Sequence, residues 1–445
     1  MSLRSSTRPP PIALVLTLAL ASAAEAETLS YGVDAGVAQT DNVTLAPSNK
    51  VSQTIAIADA DFDVKKQSRL LDVDAKGNFS YLDYLQNAYG SQLIGRFDGL
   101  AHFAIIPERL IWMLQDDFGQ AALDPFTPTT PTNLENVNYL STGPDVNFRL
   151  GGTSFINLSA RYARSTYATS PYNSNRWFGS LAWGLQLSSR STVSLNADTE
   201  RVQFENTVVN SDYDRTNGFV RYSIQGARTE LSADLGGTRI TQNGSSTSGG
   251  LAKVELSRKI SAAAKLTFTA GHTLTDASTS FSNLQSGATG TVGTAPAAQT
   301  SNNYTSNFAS VGWQYSRNRT ILAVSARWEK DSYSEEPALD HTWGGVELSF
   351  QRQLSRAFTA ELVGRYYRTD YSHAVVTTVD GSSEYKDGWI SAGMTWRHGR
   401  GLEVRLRGEH SSRNASEPNA GYGENRVLLT VGYRPPPRQD SPQVE

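Results

Sequence analysis

The stretch Leu71-Asp72-Val73-Asp74-Ala75-Lys76-Gly77-Asn78-Phe79-Ser80-Tyr81 decides how the chain is read. Odd positions are apolar or small and even positions are polar. In an extended strand, where successive side chains point to opposite faces, that order gives one apolar and one polar surface. The same order recurs in Trp177, Gly179, Leu181, Trp183, Leu185 and Leu187, in Leu402, Val404 and Leu406, and in Val427, Leu429, Val431 and Tyr433. The alternating stretches run for roughly ten to sixteen residues, longer than most strands of soluble sandwiches.

Working outward, the connections fall into two classes that take turns along the chain. Short ones such as Pro107-Glu108, Gly151-Gly152-Thr153, Ser189-Arg190, Arg317-Asn318 and Ser355-Arg356 suit tight hairpins. Long ones rich in Ser, Thr, Asn, Gly and Pro cover 41 to 50, 122 to 136, 241 to 249, 276 to 302, 372 to 384 and 412 to 421, among others. Turns at one end and loops at the other identify an all-β transmembrane antiparallel barrel with short periplasmic turns and long extracellular loops. Counting between connections gives about twenty strands, with eighteen left open, and both termini on the turn side. In hydrocarbon every backbone group must be paired, so the sheet must close, with an apolar outside and a polar lumen. Tyr81, Tyr84, Tyr167, Trp177, Trp328, Tyr333, Trp343, Tyr366, Tyr371 and Tyr433, near strand ends, are expected in interfacial girdles. A secreted β-helix or multi-sandwich adhesin also alternates, but neither calls for turns and loops in strict succession.

Composition supports this reading by exclusion. Among 445 residues there is no Cys, which removes disulfide scaffolds and thiolate zinc sites. A mean hydropathy of -0.40 excludes a bundle of apolar spanning helices. Forty Lys+Arg against 43 Asp+Glu, spread along the chain, leave no basic excess for nucleic acid. At the N-terminus, Arg4 and Arg8 precede the apolar run Ile12 to Ala21, and Ala24-Glu25-Ala26 fits a signal-peptidase site. The expected organisation is a secretory signal over 1–26, the barrel over 27–434 and a polar, Pro-rich tail over 435–445, in the Gram-negative bacterial outer membrane.

No catalytic residue, metal ligand or cofactor is assigned. The six histidines are scattered, and neither H-E-x-x-H nor G-x-S-x-G occurs. Asp340-His341 with Ser334 can be drawn as a catalytic cluster, but these are ordinary loop residues. Asp116 and Asp117, adjacent in a strand, point to opposite faces and cannot form a carboxylate dyad. Gly287, Gly290 and Gly293 read as a flexible stretch without a phosphate-binding Lys. The chemistry left is that of the lumen, where the candidates for binding are Arg96, Asp98, Arg161, Arg221, Glu403, Arg405, Arg407 and Glu409. Their mixed signs suit a neutral or weakly charged, hydroxyl-rich permeant better than a small ion. Cross-strand pairing for stability is the plainer role open to each of them.

Particular strings carry a resemblance. Thr40-Asp41-Asn42-Val43 follows the first strand; Pro107-Glu108-Arg109-Leu110-Ile111-Trp112 leads into Gln115-Asp116-Asp117-Phe118-Gly119-Gln120; then come Asp124-Pro125-Phe126, Asn133-Leu134-Glu135-Asn136-Val137 and Ser141-Thr142-Gly143-Pro144. Over residues 30 to 150 the chain resembles the outer-membrane β-barrel family associated with exosortase/PEP-CTERM exopolysaccharide loci. The resemblance implies export of an exopolysaccharide across the outer membrane, with outer-membrane lipids, a periplasmic polysaccharide-export protein and a polysaccharide chain as partners. A porin and an outer-membrane enzyme acting on lipid or glycan are the rival readings. The chain departs from the usual barrel ending, because Tyr433 is followed by Arg434-Pro435-Pro436-Pro437.

Overall fold

A computed structural model describes residues 28–286, 300–373, 376, 381–417, 419–436 and 438–439. The signal segment and Gly287, Gly290 and Gly293 lie outside the described residues. Twenty long strands succeed one another: β1 (Thr28–Thr40), β2 (Gln53–Gln67), β3 (Leu71–Tyr84), β4 (Gln92–Ile106), β5 (Leu110–Ala122), β6 (Leu134–Leu150), β7 (Ser154–Tyr167), β8 (Ser174–Ser188), β9 (Ser191–Phe204) and β10 (Tyr213–Gln225), then β11 (Thr229–Gln242), β12 (Ser245–Lys259), β13 (Ala264–Thr275), β14 (Tyr304–Arg317), β15 (Thr320–Tyr333), β16 (His341–Gln353), β17 (Phe358–Tyr371), β18 (Glu384–His398), β19 (Leu402–Ala415) and β20 (Tyr422–Tyr433). Each pairs antiparallel with its neighbours, and β1 pairs with β20 from Val33↔Tyr433 to Thr40↔Arg426, which closes the barrel. The one α-helix among the described residues, α1 (Ala277–Ser286), lies in the connection after β13.

Nine connections of two to four residues gather at one end, with both ends of the barrel sequence. At the other end one expectation fails. The region 241 to 249 is not a long loop, because Asn243 (φ 51°) and Gly244 (φ 77°) make a two-residue hairpin and β12 starts at Ser245. The run Ser245 to Gly250 is exposed on both faces, so no hydrophobic alternation announced it as strand. β19 reaches Ala415, well into the region read as the loop 412 to 421.

The motif Thr40-Asp41-Asn42 stitches the closing seam. Thr40 donates to Glu424 at 2.6 Å, Asp41 accepts from the backbone and side-chain amides of Asn425 at 2.8 and 2.7 Å, and Asn42 donates to the Gly423 carbonyl at 3.0 Å. The two Asn425 donors hold the half-buried Asp41 carboxyl below its ordinary range. At the turn end, Arg434 joins Asp61, and the two-residue strand β21 (Arg438–Gln439) pairs with Leu29 and Thr28 of β1.

The outward rows are apolar, as alternation required: Val427, Leu429, Val431 and Tyr433 are each about half exposed. The girdle expectation needs correction. Tyr81, Trp177, Trp328, Tyr366 and Tyr433 stand outward, but Tyr84, Tyr167, Tyr333, Trp343 and Tyr371 are at most 6% exposed and belong to the inward rows. Position near a strand end does not set the face; parity along the strand does. Asp117 points inward to Ser282 of α1, while Asp116 points outward to Asn138, so the two carboxylates are separated by the sheet as expected.

Candidate functional site: a lumen with two unlike ends

The sequence-derived lumen candidates face inward but are not brought together. Arg96 and Asp98 lie on β4, Arg161 on β7, Arg221 on β10, and Glu403, Arg405, Arg407 and Glu409 on β19. Most serve neighbours on the wall. Arg161 donates to Asp145 at 2.6 Å, Arg221 grips Asp234 with two bonds of 2.7 and 2.8 Å, and Arg407 meets Glu409 at 3.0 Å. Glu403, 2% exposed, is held by Arg397 and lies 3.6 Å from Arg405. Asp98 lines a cavity of about 370 Å3 with Asp74, Lys76, Gln115, Tyr139 and Ser282. Most of these candidates are thus paired with an opposite charge on the wall.

Two segments lie across that lumen. Asp276 caps α1: its Oδ1 accepts the Ser278 and Thr279 N–H groups, both at 3.1 Å, and its Oδ2 accepts the Thr279 hydroxyl at 2.7 Å. The same carboxylate receives Arg176 of β8 at 2.6 Å and lies 3.5 Å from Arg215 of β10, while Glu200 of β9 bridges both arginines. Burial raises the Asp276 pKa, but Arg176 and Arg215 outweigh it and hold the carboxyl well below its ordinary range. Along the helix, Ser278 meets Tyr167 at 2.9 Å, Ser280 meets Tyr304 at 2.6 Å, and Ser282 donates to Asp117 at 2.8 Å. Phe281 packs with Ala121, Val137 and Tyr167. The start of the 276 to 302 loop is therefore seated inside the barrel.

The second segment is 123–133, between β5 and β6. Asn133 shapes it, donating to the carbonyls of Asp124 and Pro128 and to the Thr127 hydroxyl, and accepting the Asp124 N–H at 2.8 Å. Its tip reaches the far wall, where Phe126 packs edge-on against Tyr371 at 4.8 Å and the Tyr385 hydroxyl donates to the Pro125 carbonyl at 3.1 Å. A ladder of rings joins the two segments. From Tyr304, bonded to α1, it passes to Tyr333 (4.6 Å), His341 (6.5 Å), Tyr371 (5.1 Å) and Phe126. His341 places Nδ1 2.9 Å from the Leu339 carbonyl, and Asp340 accepts the Tyr333 N–H at 2.6 Å. These contacts hold the β15–β16 loop and give Asp340 and His341 a structural role.

The sequence reading missed Arg176, Glu200, Arg215 and Asp276. Parity places the first three inward, but nothing in the chain announces that Asp276, 100 residues after Arg176, returns to meet it.

The two ends also differ in charge. Within the nine turns and two residues to either side, fifteen Lys/Arg face four Asp/Glu. Within the ten loop-end connections and the same margin, the described residues include fourteen Asp/Glu and one basic residue, Lys50. A chain whose formal charge is only -3 thus carries a basic turn end and an acidic loop end.

A family model described as surface lipoprotein assembly modifier matches residues 253–434, which span most of β12 through β20. None of the curated proteins matches the chain. Among solved structures it is similar to the FrpB iron transporter from Neisseria meningitidis, at 9% identity and a TM-score of 0.46 over 92% of this chain and 81% of that one. It is also similar to the ferric enterobactin receptor PfeA from Pseudomonas aeruginosa, at 10% identity and a TM-score of 0.45 over 91% and 80%. The siderophore receptor PirA from Pseudomonas aeruginosa gives 11%, 0.40, 91% and 80%. At these scores the neighbours carry no argument about cargo. The closed barrel and its apolar belt, with the family match, place the chain in the Gram-negative outer membrane.

Proposed function

We propose that this barrel is a conduit by which an exopolysaccharide crosses the outer membrane, working with a periplasmic polysaccharide-export protein that meets its turn end. The observation that supports this best is the lumen wall. Many of its charges are paired with one another, as in Arg161–Asp145 and Arg221–Asp234, and hydroxyls, amides and rings share the inward rows with them. Such a wall offers many weak partners to sugar hydroxyls and no strong site that would arrest a polymer. Twenty strands enclose a lumen of the class that accommodates bulky cargo once α1 and the 123–133 segment yield. The conduit role requires no catalytic step. A strain lacking the chain is expected to lose surface exopolysaccharide and to accumulate polymer or its lipid-linked precursor behind the outer membrane. Normal secretion would refute the export reading.

The match over 253–434 favours a second reading, assembly of surface lipoproteins. The same strain separates the two, because protease shaving of intact cells would then reveal lipoproteins missing from the surface while polysaccharide remains. A strain that instead loses uptake of a small solute identifies a diffusion porin.

A further inference from the structure

The turn end holds a large polar concavity whose cations are not already spoken for. A cavity of about 860 Å3, of ligand-pocket size, lies at the turn ends of β5 to β8 and is lined by Arg109, Asn147, Arg149, Phe155, Asn157 and Gln186. Among the described residues, neither Arg109 nor Arg149 makes an ion pair or a side-chain hydrogen bond, and Glu108 is the only acid lining the cavity. The arginines further along the lumen differ: Arg161, Arg221, Arg327, Arg407 and Arg413 each hold a carboxylate within 3.0 Å. Phe155 lies flat across Gly184, its cross-strand partner; a Cβ there would sit 2.1 Å from the ring. That glycine lets one face of the ring rest on the strand, while Phe155 also lines the cavity.

We propose that this vestibule binds an acidic sugar unit, carboxylate- or phosphate-bearing, of a glycan arriving from the periplasm. The proposal rests on the export reading for its cargo. Guanidinium forks match carboxylate and phosphate oxygens, the amides of Asn147, Asn157 and Gln186 offer donors and acceptors to ring hydroxyls, and an aromatic face attracts the C–H face of a sugar. An acidic peptide would use the arginines but has no need of a flat ring among amides. The wider turn end, with fifteen basic against four acidic residues, concentrates polyanions at this entrance.

The test is calorimetric titration of the purified full-length barrel in detergent with hexagalacturonate, maltohexaose and hexaglutamate. Hexagalacturonate is expected to bind tightest. Replacing Arg109 and Arg149 together with Gln should weaken it about tenfold or more, the scale of losing charge-assisted hydrogen bonds, and flatten its salt dependence, while maltohexaose is unaffected. Phe155→Leu should weaken both sugars and leave hexaglutamate unchanged. Retained heat-modifiability on gels establishes that each variant is folded. Equal binding of hexaglutamate and hexagalacturonate, with no effect of Phe155→Leu, would mean that the vestibule reads charge alone and would overturn the sugar assignment. Unchanged hexagalacturonate binding in the double Gln variant would overturn the site. Failure of the site while the deletion strain still loses surface polysaccharide leaves the export reading standing. Binding as expected in a protein whose deletion changes no secretion removes the export reading and keeps the site.

Discussion

The loop end and the turn end of this barrel solve opposite problems with the same residue types. At the loop end, Arg176, Arg215, Glu200 and Asp276 are all less than 10% exposed and tie α1 across the lumen, so the charges serve the protein itself. At the turn end, Arg109 and Arg149 are exposed and make no ion pair among the described residues, so their charge is available to something else. An arginine identifies a binding surface only when its partner is missing. The paired arginines in between, read from sequence as candidates for cargo, belong to the first kind. Breaking or sharpening this contrast gives the following expectations, from the largest effect to the smallest.

The largest effect is expected from Asp276→Asn. Asn is as good a helix cap as Asp, so the substitution spares the cap and removes only the charge. Arg176, 2% exposed, is left sharing Glu200 with Arg215. Breaking a buried pair from one side costs about 3–5 kcal/mol, and a ten-residue helix has little stability away from a surface that holds it. Single-channel conductance in a planar bilayer should rise several-fold, with the folded barrel retained on gels; unchanged conductance would mean that the helix is not the constriction. Acid should not mimic the variant at pH 4. The Asp276 pKa is depressed in the folded chain, so its stabilising share is complete above the unfolded value and is lost only as pH falls through the lower folded one.

How much of this was legible depends on where the information resides. Every long strand was readable because lipid on one side and a polar lumen on the other force alternation, as in Leu71 to Tyr81. Strand edges failed where both faces meet water, as at Ser245 to Gly250, although Asn243-Gly244 is itself a hairpin signal. The buried faces of Tyr333 and Tyr371 could have been read from parity with Trp328 and Tyr366, which alternate with them. The charge separation was hidden because basic residues are scattered along the chain; only folding every second connection to one end collects Arg109, Arg190, Arg228 and Arg356 in one place. The seat of α1 was not legible at all, since Asp276 and Arg176 share no local pattern.

A smaller effect is expected from Phe126→Ala. The edge-on contact with Tyr371 contributes about 0.5–1.5 kcal/mol beyond area burial, and the segment keeps its Asn133 scaffold and the bond from Tyr385 to the Pro125 carbonyl. Conductance should rise less than in Asp276→Asn. Because the ring ladder connects the two segments, the double variant is expected to be non-additive; strict additivity would show that they move independently.

The polarity of the ends predicts a directional response. In the planar bilayer, heparin added on the turn side should reduce the current at 0.1 M salt, whereas the same addition on the loop side should not. Raising salt to 1 M should abolish the effect, since the screening length falls from about 10 Å to about 3 Å. Block from the loop side alone would invert the assignment of the two ends.

The smallest effect is expected from Arg405→Ala combined with Arg407→Ala, which separates wall charges that hold the sheet from those that meet cargo. Arg405 is the more distant of the two cations on Glu403, at 3.6 Å, and Arg397 remains on that carboxylate when it is lost. Arg407 pairs with Glu409 on its own strand, and its side chain is 36% exposed. A partly exposed pair of this kind contributes about 0–1 kcal/mol, so the gel transition of the barrel should move by a few degrees at most and the conductance should stay as it is. Export is the sharper readout. Under the proposed export role, if both arginines serve only β19, polysaccharide reaches the surface at the normal rate, whereas a fall in export from an intact, normally conducting barrel would return them to the cargo path.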